Sequence, residues 1–528
     1  MFSRKSSLLL GAALAAALPA AGLHAQEVKL ARLIDSNSYD PHKVTATAAA
    51  EVLFMIADTL VAIEPDMKTL RPGLAKSWDV SADGTTYTFH LRDDVTFCDG
   101  KKMTAADVAY SFNRWIDPET KSPVAWRAGP VDKITAIDDT TLEYKLKAPF
   151  SELLYQLTQN FAVVIDKDTV EKLGPDFGVA GFNGTGPFCW GEWLPRDRFT
   201  MTRNPNYTWG PDFYENTGPA KVEKVTWSII PEANTITAAL MTGQVDATNY
   251  APYIALDQFE ATPGFVVSAS ESARYTYFVG FKLDKPTVSD LAVRQAINYA
   301  FDRAALVEDQ FYGKVLPAYS YIATDTLDWN PEVEKVMITT HDVEKAKALL
   351  DEAGWKVGAD GIREKDGVKL KPVLYSLSGV WPNIIQAVQA ELLKVGIDVQ
   401  LNVFDPTVGW GKLATQEFDM FTMAYPYVSA GDAMNLYFRS SNRPAPNRTN
   451  WADEDTDKWL AAGSSALNDA GRAENFGKVL YKVHEAMNWM PLYHAPIIIV
   501  QSDKLKPMTA HPIYGAAYYK GLGLEVVK

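Results

Sequence analysis

Residues 71–115 read RPGLAKSWDVSADGTTYTFHLRDDVTFCDGKKMTAADVAYSFNRW. Apolar and polar residues alternate through Tyr87–Arg92 and again, briefly, through Val95–Phe97, which is the period of a strand with one buried face. Asp83-Gly84 and Asp99-Gly100 punctuate these runs, and Asp-Gly signals a turn because glycine reaches positive φ without strain. A helix is predicted next. Thr104 can cap it, Asp107 lies in its first turn, and Val108, Phe112 and Trp115 share one face. The order is strand, turn, strand, turn and capped helix, with no catalytic residue pattern in it.

On the N-terminal side, Val28 to Ile34 reads as a strand and Ala46 to Thr59 as a helix with Val52, Ile56 and Leu60 on one face. The loop between them, Asp35-Ser36-Asn37-Ser38-Tyr39, places small polar residues at a strand end. Such a loop leaves backbone groups for a ligand, although a plain surface turn fits the same composition. On the C-terminal side, Val131 to Leu146 alternates around a turn at Asp138-Asp139, and Phe150 to Leu157 reads as a short helix. Ser122–Arg127 puts Trp126 beside Arg127 in a Pro-containing loop, which suits a pocket wall and a packed loop anchor alike. Around Glu271, Ser272 and Arg274 a polar stretch precedes the strand-like Tyr275–Val279 and suits a hinge exposed to a cleft. Helices are then predicted over Asp290–Phe311, Asp342–Ala353, from Pro382 to Gly396, over Asp453–Leu467 and over Ala473–Met487, with glycines at several C-termini. Ile397–Val403 alternates as a strand, and Ile497–Val500 reads as a buried one. Strands alternating with helices of this length argue for α/β architecture.

A chain of 528 residues exceeds what one hydrophobic core serves, so two or more domains are expected. The net charge of −14 and pI near 5.1 argue against nucleic acid as a partner and against adsorption to anionic lipid. Arg4 and Lys5, the apolar run Leu8–Leu18 and small residues up to Ala25 form the three regions of an export signal. The expected cut follows Ala25, with Ala21 as the alternative site. The apolar run is too short to span a bilayer, so no membrane insertion is expected. Export would carry both cysteines into an oxidising compartment, where Cys98 and Cys189 are expected to pair. Closing a loop of that size contributes on the order of 4 kcal/mol in the chain-entropy model. Two buried free thiols are the alternative.

Enzyme signatures are absent or broken. His484-Glu485 begins a zinc-protease motif, but Asn488 stands where the second histidine is needed. Gly184-Thr185-Gly186 begins a dinucleotide fingerprint, yet Cys189 replaces its third glycine and Pro187 opposes the turn-to-helix geometry. Asp453, Asp455 and Asp457 resemble the start of a calcium loop, but Lys458 takes the turn-glycine position and Ser464 the bidentate-acid position. Neither a metal site nor a cofactor is expected. Fourteen tryptophans and twenty-four tyrosines suit a cleft that grips a ligand through amphipathic surfaces, though most must serve the core.

The run from Leu74 to Phe112 closely resembles the signature of the family 5 extracellular solute-binding proteins, periplasmic receptors of ABC importers for oligopeptides, dipeptides, nickel and related solutes. More of the pattern follows in order: Asp40-Pro41-His42, Gly184–Phe188, Asn204–Tyr207, Gly243–Asp246, Val293–Ala300 and Ala353-Gly354-Trp355. The resemblance implies a two-lobed α/β periplasmic binding protein fold of type II with an extra subdomain, its lobes joined by two hinge strands. It implies a signal peptide over 1–25, a first lobe over 26–271 with a subdomain at about 60–185, a second lobe over 272–495, and a return to the first over 496–528. The protein would be a monomeric periplasmic receptor that captures a peptide or similar small solute and hands it to an inner-membrane ABC permease, without catalysis. An opine, an oligosaccharide or a metal chelate are alternative ligands, and a secreted hydrolase is the rival class. Alignment with peptide-binding members brings Ser36, Asn37, Ser38, Trp126, Trp381 and Trp410 to ligand-facing positions, and Tyr425 lies in a segment that reaches the ligand. Those members usually carry an acid there that pairs with the peptide α-ammonium. Here its place falls near Pro426, and Asp432 is the nearby acid that a shifted loop would bring in.

Overall fold

The computed structural model describes residues 26–528. The export-signal reading of residues 1–25 lies outside the described residues. Within Arg71–Trp115, Ala75–Val80 pairs antiparallel with Thr86–Leu91, which pairs with Thr141–Leu146, and that strand pairs with Val131–Asp138. This four-stranded sheet turns one face to solvent. Tyr87, Phe89 and Leu91 are buried while Thr86, Thr88 and His90 are not, as the alternation requires. Burying one such side chain contributes about 2 kcal/mol. Helix Ala105–Ile116 begins with the expected capping box between Thr104 and Asp107 and buries Val108, Phe112 and Trp115 against the sheet. Val95–Phe97 does not become a strand. Only an isolated bridge between Thr96 and Lys102 forms, because the Asp99-Gly100 turn folds the run back on its own short neighbour.

Two larger sheets organise the rest. In the seven-stranded sheet, Glu27–Arg32 lies parallel to both Lys224–Ile229 and Ala247–Thr248. The six-stranded sheet holds Tyr275–Phe281, Val373–Leu377, Gln400–Phe404, Met420–Pro426 and Trp489–Ala495 together with a short edge strand. The chain leaves the first sheet after Phe265–Ala269 and enters the second at Tyr275. It returns between Ala495 and Ile498, where Ile498–Ser502 pairs back with Phe265–Ala269. The first crossing is not open to solvent throughout. Arg274 is buried and donates to the carbonyls of Asp66 and Asp325, and Ser272 donates to the Asp325 carboxylate. A buried guanidinium needs such acceptors, so these polar residues lock the crossing.

The single helix expected over Asp290–Phe311 is two, Leu291–Ala300 and Arg303–Phe311. Phe301 turns extended, and Asp302 accepts from the Ala305 N–H, so a second cap interrupts an otherwise continuous apolar pattern. Cys98 and Cys189 are joined, with Cα atoms 5.7 Å apart, tying the Asp99-Gly100 turn to strand Phe188–Leu194 of the seven-stranded sheet. The glycines of the Gly184–Phe188 run serve close approach. A Cβ on Gly184 would lie 1.9 Å from the Ile56 carbonyl oxygen, and one on Gly186 2.4 Å from the Met55 carbonyl oxygen. No helix among the described residues is long and apolar enough to cross a membrane.

Candidate functional site

Three strands of the six-stranded sheet, Val373–Leu377, Gln400–Phe404 and Met420–Pro426, run parallel, so their carboxyl ends share one edge. Each is followed by a helix whose start faces that edge: Trp381–Leu393, Pro406–Ala414 and Ala430–Phe438. Open α/β sheets bind ligands in the crevice beyond such carboxyl ends. The sequence places Trp381, Trp410 and Tyr425 there. From the opposite side, a 3-10 turn at Ala125–Ala128 brings Trp126 and Arg127 out of the four-stranded subdomain, and the C-terminal segment brings Tyr514.

Arg127 is where the two sides meet. It is 2% exposed. One Nη lies 2.5 Å from Asp432 Oδ1, an ion pair by distance without the alignment of a hydrogen bond, and that nitrogen donates to Gln156 Oε1 at 2.8 Å. The other Nη donates to the Tyr425 hydroxyl at 3.1 Å. The guanidinium also lies over the rings of Trp126, Phe161 and Tyr425, with centroids at 4.6, 5.3 and 5.9 Å. Burial is the largest influence and opposes its charge, but Asp432, Tyr425 and Glu152 together outweigh it and make the group more basic than usual. Beside this pair, Ser429 caps helix Ala430–Phe438 and donates to Glu152 from the opposite side. Burial, and then the nearby Asp432, push the Glu152 carboxyl up to about 7. Ser151 adds hydrogen bonds to the Gly463 and Ser464 carbonyls. The Tyr425 ring packs in tilted contact with Tyr427 at 5.2 Å and with Tyr514 at 5.3 Å between centroids.

The predicted residues separate into groups. Trp126, Tyr425 and Asp432 meet at Arg127. Trp410 is half-exposed, with Arg448 over its ring at 5.8 Å. Trp381 is packed rather than presented, 7% exposed with Tyr277 5.4 Å away, because it starts its helix over the apolar core. Ser36 and Ser38 bond to each other across their turn, and Asn37 between them is exposed. Asp432 is fully buried and offers its carboxylate to Arg127, so it does not stand free for a ligand ammonium. Beside these residues lie Arg127, Glu152, Arg448 and Tyr514, which sequence reasoning did not assign to a site. Arg127 had a signal, its place beside Trp126, whereas Tyr514 had none because only the fold brings residue 514 to residue 425.

His42, His484, His494 and His511 are buried and pushed down to about 3, 3, 4 and 4 respectively, chiefly by burial. Among the described residues no group of three or more His, Cys, Asp or Glu could hold a metal ion.

Two sheets joined by two crossings, with polar and aromatic residues from both sides converging between them, define a bilobal solute-binding protein. The chain matches the model of the bacterial extracellular solute-binding proteins, family 5 (middle), over residues 69–446, and it belongs to that family. It is 26% identical over 501 residues to the nickel-binding periplasmic protein of Escherichia coli (strain K12), covering 91% of this chain and 90% of that one. It is equally 26% identical over 505 residues to the glutathione-binding protein GsiB of the same strain, covering 94% of each. Among solved structures, the periplasmic binding protein DppA of Helicobacter pylori, in complex with the peptide STSA, superposes with a TM-score of 0.81 at 24% identity over 95% of this chain and 98% of that one. NikZ of Campylobacter jejuni, in complex with Ni(L-His), gives 0.81 at 22% identity over 94% and 99%. These likenesses establish the type of fold.

Proposed function

We propose that this protein captures a small solute between its two lobes and presents the closed form to the membrane permease of an ABC importer. The observation that carries this reading is the convergence at Arg127, which joins the subdomain turn Ala125–Ala128 to Tyr425 and Asp432 of the six-stranded sheet. Closure favoured by contacts to both lobes is the hinge mechanism of such receptors. The lobes are 26–271 with 496–528, and 272–495, with the subdomain at about 60–185. Ligand-facing positions are Trp126, Trp410 and Tyr425, with the Ser36–Ser38 turn on the rim. A cleaved signal ending at Ala25 delivers the chain to the periplasm, where it acts as a monomer and leaves its solute chemically unchanged. Peptides are the first class of ligand to test, followed by opines, oligosaccharides and metal chelates. A bare metal ion is the weakest fit, because the described residues assemble no ligand cluster.

The test is native mass spectrometry of the purified protein, followed by thermal shift and tryptophan emission with each solute. Binding raises Tm and changes emission without turnover. Repeated conversion of a substrate would overturn the reading, as would a protein that no solute of any class stabilises.

A further inference from the structure

Arg448, half-buried, differs from the buried arginines of this chain. Arg294 donates to the carbonyls of Val288, Ser289 and Ala486, and Arg303 to those of Pro491 and Asn298. Arg472 is paired with Asp328, and Arg127 with Asp432. The Arg448 guanidinium makes no hydrogen bond or ion pair with any described residue, and its Nε is buried with no partner. Burial lowers its basicity, and only Tyr437 offers partial compensation. A half-buried cation with no protein partner for its charge is held at some cost in stability, so its placement calls for a compensating role.

The backbone that presents Arg448 is held on both sides. Asn447 is fully buried and donates to the carbonyls of Arg439 and Trp451, and Thr449 is fully buried with its carbonyl accepting from the Leu283 N–H. The side chain then lies over half-exposed Trp410, in the helix that follows strand Gln400–Phe404. The adjacent ring of Tyr437 contacts Tyr427, directly beyond the end of strand Met420–Pro426. A rigidly mounted guanidinium on an indole, at the shared carboxyl edge of three parallel strands, has the form of an oxyanion anchor.

The charges of the cleft agree. Arg127 and Asp432 cancel, and Glu152 is shifted toward its neutral form. Arg448 is left as the uncompensated charge. We infer that Arg448 binds a carboxylate of the transported solute, that Trp410 packs against the apolar or planar group beside that carboxylate, and that the cleft selects solutes by an acidic end rather than by a free amine. This rests on the proposed solute capture and names the class of solute.

The test uses the full mature protein and matched probes: short peptides with free or amidated C-termini and free or acetylated N-termini, and N-carboxyalkyl amino acids with their amides. Thermal shift and calorimetry are run on wild type, Arg448→Met and Arg448→Lys. Acids are expected to stabilise wild type whether or not the amine is blocked, while the amides fail. Arg448→Met should weaken acid binding by about tenfold or more, the worth of a charged hydrogen bond, and Arg448→Lys should restore part of it. Unliganded Arg448→Met should be at least as stable as wild type, which separates a ligand anchor from a structural residue. Amides that bind as tightly as acids would overturn the inference, as would full affinity in Arg448→Met or a panel in which no acid binds. Solute capture itself falls only if neutral and basic solutes fail as well.

Discussion

Consider removing one half of the buried pair at the interlobe junction. Asp432→Asn keeps the shape of the side chain and deletes its charge, leaving Arg127 buried without a counterion. Both side chains are at most 3% exposed and lie 2.5 Å apart. Truncating one partner of such a pair costs about 3–5 kcal/mol, whereas replacing both with apolar residues is often neutral. Arg127→Met should lose a similar amount. The double variant Arg127→Met/Asp432→Leu should lose much less than the sum, giving a coupling energy of roughly 3 kcal/mol. The assay is equilibrium urea unfolding followed by tryptophan emission. Because the pair spans the two sides, the loss should appear in the transition that separates them. Had Asp432 served as the acceptor of a ligand ammonium, Asp432→Asn would lose affinity and keep stability. Single variants that each lose under about 1 kcal/mol, or losses that simply add, would refute the assignment of this pair as a structural lock.

Three further outcomes can be checked separately. Cys98→Ser/Cys189→Ser opens a link across 91 residues of sequence, so unfolding should come about 4.5 kcal/mol earlier in the chain-entropy model, and an unchanged midpoint under reducing conditions would count against it. Glu152, raised from an ordinary 4.5 to about 7 in the fold, favours the folded state when protonated. Its stabilisation is therefore full below pH 4.5 and fades as pH rises through about 7, by an order of 3 kcal/mol. Glu152→Gln should flatten that part of the stability–pH curve, and an identical slope would remove Glu152 as the cause. Gly184→Ala places a methyl 1.9 Å from the Ile56 carbonyl oxygen, an obstacle in the backbone that no rotamer change relieves. A loss above about 2 kcal/mol in chemical denaturation is expected, and wild-type stability would show that the approach is looser than it looks.

The stretch from Arg71 to Trp115 was legible because its cues are local. Alternation set the buried face of Thr86–Leu91, and Thr104 with Asp107 set the start of the helix. The cues failed where a local pattern was continuous but the chain was not. The apolar spacing from Leu291 to Phe311 runs through Asp302, which acts as a second cap. Val95–Phe97 had the strand period but found no partner ladder. The tryptophans of the resemblance show the same limit. Trp381 and Trp410 both follow a parallel strand, yet one is packed into the core and the other half-exposed.

The sequence alone determined the α/β class, the ordered family pattern and the absence of an intact catalytic motif, since each depends on residue type and spacing along the chain, whereas the pairing expected of Cys98 and Cys189 was decided by the fold that brings them together. Tertiary structure decided which charges meet. Arg127 lies 305 positions from Asp432 (432 − 127), and whether a carboxylate so distant is free for a ligand or committed to an arginine is settled by packing. The same holds for Arg448, whose guanidinium finds no hydrogen-bonding or ionic partner among the described residues because of its surroundings in space. Electrostatic energy depends on separation and burial, and neither can be read from position in a chain.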